Sequence, residues 1–87
     1  MSLVEKFNAA AEKARTFTKR PTDEELLQLY ALYKQATVGD NNTPKPGMLD
    51  LKAKAKWEFW NKQKGKSQDD ARKEYIEFVE KLSASYL

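Results

Sequence analysis

Nine consecutive residues in the middle of the chain cannot continue a helix or a strand. They read Gly39-Asp40-Asn41-Asn42-Thr43-Pro44-Lys45-Pro46-Gly47, and all but Lys45 are turn formers or helix breakers. Such a break is long for a connection inside a small helical protein. A short connection forces the next helix to run antiparallel to the last. A long one lets it run in the same direction. The break therefore limits the topology before any other feature is read.

The segments on either side are helical by period. Residues 3–17 carry Leu3, Phe7, Ala10, Ala14 and Phe17, whose steps alternate four and three. Ser2 and Glu5 have the spacing of a capping box, and Pro21 forces the chain out of helical geometry just before it. Thr22 opens a second helix, with Glu25 completing another box and Asp23 and Glu24 matching the positive end of the dipole. Leu26, Leu29, Tyr30, Tyr33 and Thr37 supply its stripe, and Gly39 stops it.

A third helix is predicted over residues 48–64, with Leu49, Ala53, Trp57 and Trp60 buried and Gly65 as its end. Ser67 caps the fourth, Asp69 and Asp70 fill its first turn, and Ala71, Tyr75, Phe78, Val79, Leu82 and Tyr86 recur to the end of the chain. Phe7, Ala11, Ala14 and Phe17 match Tyr75, Ile76, Val79 and Leu82, so the first and last helices are predicted to share a core. The expectation is an all-α single domain, residues 1–87. A chain this short has a thin core, and without cysteine it has no disulfide to reinforce it.

Missing residue types narrow the chemistry. There is no histidine and no cysteine, hence no imidazole base, no thiolate nucleophile and no zinc site built from either. The serines, Ser2, Ser67, Ser83 and Ser85, sit in caps or near the end, and the paired carboxylates mark helix starts. A non-catalytic protein without cofactor or metal is expected. The net charge of +3 suits an anionic ligand but is a weak footprint for nucleic acid. Apolar runs of a few residues are too short to span a membrane, and Met1-Ser2-Leu3-Val4-Glu5-Lys6-Phe7 lacks the apolar core of a secretory signal. A cytoplasmic monomer is the expectation, and the lack of cysteine fits a reducing compartment.

Aromatic rings and lysines concentrate around the break. Tyr30 and Lys34 lie one turn apart on one helix face, with Tyr33 beside them. In isolation that pattern reads as two core tyrosines and a solvated lysine. The alternative is a stacking surface next to a charge for phosphate. Lys52 and Lys56 share a face while Lys54 points elsewhere, so the comb is either a solvated edge or two charges lining an anion site. Helix 3 also admits a nucleic-acid reading, with lysines on phosphate and aromatics on bases, although Asp50 and Glu58 interrupt the patch. Tyr75 is a core position whose hydroxyl needs a partner, which a ligand could supply.

Three blocks carry a resemblance. They are Pro21-Thr22-Asp23-Glu24-Glu25-Leu26-Leu27, then Tyr30-Ala31-Leu32-Tyr33-Lys34-Gln35-Ala36-Thr37-Val38-Gly39-Asp40-Asn41-Asn42-Thr43, then Pro46-Gly47-Met48-Leu49-Asp50-Leu51-Lys52-Ala53-Lys54-Ala55-Lys56-Trp57. Together they resemble the acyl-CoA-binding protein family over essentially the whole chain. The resemblance implies an up-down-down-up four-helix bundle that binds medium- to long-chain acyl-CoA without catalysis and carries it to acyl-CoA-using enzymes. It places Tyr30 on the adenine, and Lys34 and Lys56 on the ribose 3′-phosphate and the neighbouring phosphates. It sets Tyr33 and Lys52 within the same site, and Tyr75 against the head group from the last helix. Arg15 stands where lysine is common in the family, and Leu26, Leu27 and Leu51 cover the acyl chain. The C-terminal Ser83-Ala84-Ser85-Tyr86-Leu87 departs from a lysine-rich family tail and is given no part in binding. A small basic adaptor or nucleic-acid-binding bundle is the alternative.

Overall fold

A computed structural model describes all 87 residues. Four helices form: α1 (Leu3–Arg15), α2 (Asp23–Thr37), α3 (Leu51–Asn61) and α4 (Gln68–Tyr86). The starts of three are locally specified. Ser2 Oγ accepts the Glu5 N–H at 3.1 Å while Glu5 Oε1 accepts the Ser2 N–H at 3.0 Å. Thr22 and Glu25 close the same reciprocal box at 3.1 and 2.9 Å. Ser67 Oγ accepts the Asp70 N–H at 3.0 Å. Each such cap is worth about 1 kcal/mol. Gly39, at φ +97°, ends α2 in the left-handed conformation that glycine adopts without strain, and its N–H reaches back to the Gln35 carbonyl.

The helices pack in a row, α1 against α4, α4 against α2 and α2 against α3. Their directions follow from who meets whom. Phe7 touches Tyr75 and Phe17 touches Tyr86, so α1 and α4 run the same way. Gln68 bonds the Ala36 carbonyl and Tyr86 bonds Glu25, so α2 is antiparallel to α4. Lys56 lies over Tyr30 and Lys34 over Trp60, so α3 runs parallel to α2. This is the up-down-down-up arrangement, and the long 39–47 connection makes the parallel pair possible. The row is shallow, 38 × 28 × 14 Å over its Cα atoms, so each helix keeps open faces and only 14 of the 87 residues are buried. The main core joins Phe7, Leu29, Leu32, Ala36, Tyr75, Val79 and Leu82 from α1, α2 and α4, with Ala14, Phe17 and Ile76 packed around it.

Two expectations are corrected. The third helix is shorter than residues 48–64: it spans Leu51–Asn61 because Asp50 is its N-cap, Oδ1 accepting the Ala53 N–H at 3.2 Å. Its far end tapers through tight turns, with Gln63 N–H on the Trp60 carbonyl and Lys64 N–H on the Asn61 carbonyl. Leu49, predicted in its buried stripe, precedes the helix and is 100% exposed, while Ala53 and Trp57 are half-buried and Trp60 alone is buried. The second correction concerns α2. Its buried residues are Leu29, Ala31, Leu32, Gln35 and Ala36, whereas Tyr33 and Thr37, placed on its stripe by period, are exposed. A helix flanked by α4 on one side and α3 on the other buries two faces, and no single stripe describes it.

Polar latches join α2 and α3 at one end only. The Trp60 indole N–H donates to the Gly39 carbonyl at 2.9 Å, and the Trp57 indole N–H donates to the Thr43 carbonyl at 2.9 Å. Asn41, buried, returns a bond to the Trp57 carbonyl. The buried Gln35 amide donates to Asp40 Oδ1 and to the Lys66 carbonyl, and Asp40 Oδ1 also accepts the Gly65 N–H at 2.9 Å. These bonds, first the Gly65 N–H and then the Gln35 amide, hold the Asp40 carboxyl below its ordinary value. All of them gather at the C-terminal ends of α2 and α3. The N-terminal halves of the pair have no such ties.

Candidate functional site

A cavity of about 390 Å³ opens between those N-terminal halves. One wall is the α2 face on which Asp23, Leu26, Leu27 and Tyr30 recur at helical spacing, with Arg20 just ahead of it. The other wall is α3, whose Leu51, Lys52, Ala55 and Lys56 repeat one apolar and one basic residue per turn. Leu26, Leu27 and Tyr30 are half-buried, while Leu51, Lys52 and Lys56 are exposed. The result is an open trough with an apolar floor and a cationic rim. Lys56 Nζ sits 5.4 Å from the Tyr30 ring centre, which orients both groups toward the opening. Arg20 and Asp23 pair at 2.8 Å at the end away from Tyr30.

The cavity brings together Leu26, Leu27, Tyr30, Leu51, Lys52 and Lys56 from the residues singled out by sequence. The other four lie beside it. Lys34, one turn after Tyr30, is held 4.9 Å above the Trp60 ring. Tyr33 is 42% exposed and stacks on Phe7 at 5.5 Å, with Tyr75 at 5.9 Å. Tyr75 is 5% exposed. Burial first, and Tyr33 second, push its phenol above the ordinary tyrosine value, while the Arg15 charge opposes the shift. The Tyr75 hydroxyl makes no hydrogen bond to another group of the protein. Arg15 is otherwise solvated, loosely paired with Glu12 at 3.9 Å. None of the four lines the cavity: Lys34 lies against α3, whereas Tyr33 and Tyr75 meet Phe7 on the α1–α4 side of α2.

Three lining residues were not foreseen. Ala55 is one turn beyond Leu51, and its small side chain leaves room between the walls. Arg20 and Asp23 fall three apart ahead of Leu26, so the same helical step run backwards from the leucines would have found them.

A sequence model of the family described as "Acyl CoA binding protein" matches residues 4–79. An acyl-CoA-binding protein homolog of Drosophila melanogaster is 71% identical over 82 residues, covering 94% of this chain and 95% of that protein. The chain belongs to the acyl-CoA-binding protein family. The acyl-CoA-binding protein of Saccharomyces cerevisiae is 52% identical over 80 residues, covering 92% of each. Among solved structures, acyl-CoA-binding protein 2 of Oryza sativa superposes with a TM-score of 0.89 at 45% identity, over 92% of this chain and 87% of that one. Membership in this family of binding proteins accounts for the four-helix fold, and the matched residues 4–79 contain the whole trough and Tyr75 but not Tyr86. No helix is long and apolar enough to cross a membrane, and no group of three or more acidic, cysteine or histidine side chains is arranged to hold a metal.

Proposed function

We propose that the protein binds medium- to long-chain acyl-CoA esters, serving as their carrier and pool former rather than as an enzyme acting on them. The observation that carries this reading is the trough. A single cavity offers an apolar floor of Leu26, Leu27, Leu51 and Ala55 and a rim bearing Tyr30, Lys52 and Lys56. Acyl-CoA has the matching chemistry, a multiply anionic head on an apolar tail. Burial of each methylene is worth about 0.8 kcal/mol, so a long chain adds several kcal/mol where the floor covers it.

In this reading Tyr30 stacks on the adenine, and Lys34, Lys52 and Lys56 meet the phosphates through charge-assisted bonds. Tyr33 and Arg15 complete the head-group side, and Tyr75 offers its free hydroxyl from α4. The chain acts as one domain and a monomer, in the cytoplasm, and hands its ligand to acyl-CoA-using enzymes. Without histidine or cysteine it has no ready nucleophile for the thioester, so the ligand stays intact.

Titration calorimetry with palmitoyl-CoA, CoA and palmitate tests the reading, repeated on Tyr30→Ala and Lys34→Ala. Palmitoyl-CoA is expected to bind far more tightly than either half; Tyr30→Ala should weaken it by about 1–3 kcal/mol, the range of a base–aromatic stack, and Lys34→Ala by about 1.5–3 kcal/mol, the range of a hydrogen bond to a charged group. Equal affinities for CoA and palmitoyl-CoA would defeat the groove. Unchanged affinity in both variants would defeat the head-group assignment.

A further inference from the structure

The last helix ends on a residue tied to the opposite end of α2. The Tyr86 hydroxyl donates to Glu25 Oε1 at 2.7 Å, and the same oxygen accepts the Thr22 N–H that caps α2, at 2.9 Å. The Tyr86 carbonyl accepts the N–H groups of Thr18 and Lys19 at 2.9 and 3.2 Å. Its ring lies 6.3 Å from that of Phe17. Carbonyls in the last turn of a helix have no donor of their own helix, and here the α1–α2 connection supplies two. The tie registers in both partners. Glu25 is held below its ordinary value, first by the Tyr86 hydroxyl and then by the Thr22 backbone, and Tyr86 is pushed above its own chiefly by the same bond.

What hangs on this clasp is one end of the trough. Arg20 lies in the connection, Asp23 opens α2, and both line the cavity. Their mutual ion pair is exposed, with 70% and 83% of the side chains in solvent, and such pairs fix little by themselves. Asp23 is seven residues before Tyr30, about 10 Å along a helix, so the head-group end and the clasped end bound opposite ends of the floor. On the acyl-CoA reading, an acyl chain of a few carbons would end between them and a long one would reach the Arg20–Asp23 rim.

We infer that Tyr86 is a positioning residue for acyl-chain recognition: by clasping the α1–α2 connection it fixes the Arg20–Asp23 rim and favours long over short chains. This rests on the acyl-CoA reading of the trough. It gives a role to a C-terminal residue that lies outside the family match and that the sequence left without one.

Tyr86→Phe tests it, because phenylalanine keeps the ring against Phe17 and the backbone carbonyl and removes only the hydroxyl. Calorimetry compares free CoA, butanoyl-CoA and palmitoyl-CoA on wild type and variant. Free CoA and butanoyl-CoA, whose chain is too short to cross the floor, are expected to bind both alike, and palmitoyl-CoA to bind the variant about fourfold more weakly, the factor equivalent to one methylene's burial. Glu25→Gln, which keeps an oxygen for both donors, is expected to retain the wild-type palmitoyl-to-butanoyl ratio. Amide exchange at Thr18 and Lys19 is expected to speed up in Tyr86→Phe without any ligand. An unchanged ratio with wild-type selectivity intact overturns the inference alone, as does an equal loss for all three ligands. Wild type that fails to distinguish palmitoyl-CoA from free CoA overturns the acyl-CoA reading and the role of Tyr86 with it, whatever the exchange rates show.

Discussion

The two flanks of α2 are held together by different physics. Toward α4 and α1 the contact is mainly apolar: Phe7, Leu29, Leu32, Val79 and Leu82 interlock, each buried, with polar bonds only at the two ends of α2, from Gln68 to Ala36 and from Tyr86 to Glu25. Toward α3 the contact is mostly polar and confined to one end, where the Trp57 and Trp60 indoles, Asn41 and Asp40 bridge backbone groups of the loop and turns. Only one α3 residue, Trp60, is buried. The difference shows where room for a ligand comes from. Packing along the full helix length leaves between α2 and α4 only a hollow lined mostly by Gln28, Glu74, Glu77 and Lys81, whereas a helix pinned at its C-terminal end leaves its other half free to stand away from α2 and open an apolar floor. The trough lies at that free half, and the strength of the α1–α4–α2 core is what lets α3 be held so lightly.

The largest effect is expected on the apolar flank. Leu82→Ala should cost about 2–5 kcal/mol, as buried leucine truncations do, and denaturant unfolding measures it as a lower midpoint with unchanged slope. Trp60→Phe should cost less, about 1–3 kcal/mol for an orphaned, partly buried Gly39 carbonyl with a weaker cation–π contact to Lys34, and its effect should concentrate in α3. Amide exchange then reports faster opening of α3 than of α4. Equal acceleration in the two helices would break the contrast between the flanks.

The smallest effect expected is proton-linked and sits in the latch. The folded Asp40 carboxyl titrates below its ordinary value of 3.8, so its contribution is fully present above that pH and is lost as pH falls through the folded value. Asp40→Ala should therefore flatten the acid limb of the stability profile below pH 3.8 relative to wild type, with little change in the slope at neutral pH. An unaltered acid limb would mean that Asp40 adds nothing and that Trp57, Trp60 and Asn41 hold the end.

The fold was largely legible because its signals are local. Capping boxes at Ser2–Glu5 and Thr22–Glu25, the Ser67 cap and the Gly39 stop are bonds between residues three or four apart, and their side chains specify them directly. Asp50 carried the same kind of signal, but Met48 and Leu49 ahead of it resembled helix, and Leu49 was drawn into a stripe it never joins. The α1–α4 core followed from period because α1 turns a single face inward, and that face lies along α4. The α2 faces did not follow, because two neighbours leave no single periodic stripe.

The candidate site was legible in part. The resemblance marked Tyr30, Lys52 and Lys56 and the three leucines, but not that they border one cavity with Arg20, Asp23 and Ala55. By itself, then, the sequence determined four helices, their boundaries to within a few residues, the long break that permits a parallel pair, and the family. Tertiary structure alone decided that α3 is fastened at one end, that a trough opens at the other, and that Tyr86 reaches Glu25 across 61 positions. Local bonds are written in neighbouring residues, whereas the width of a gap and the reach of a clasp depend on how separate helices come to rest against one another.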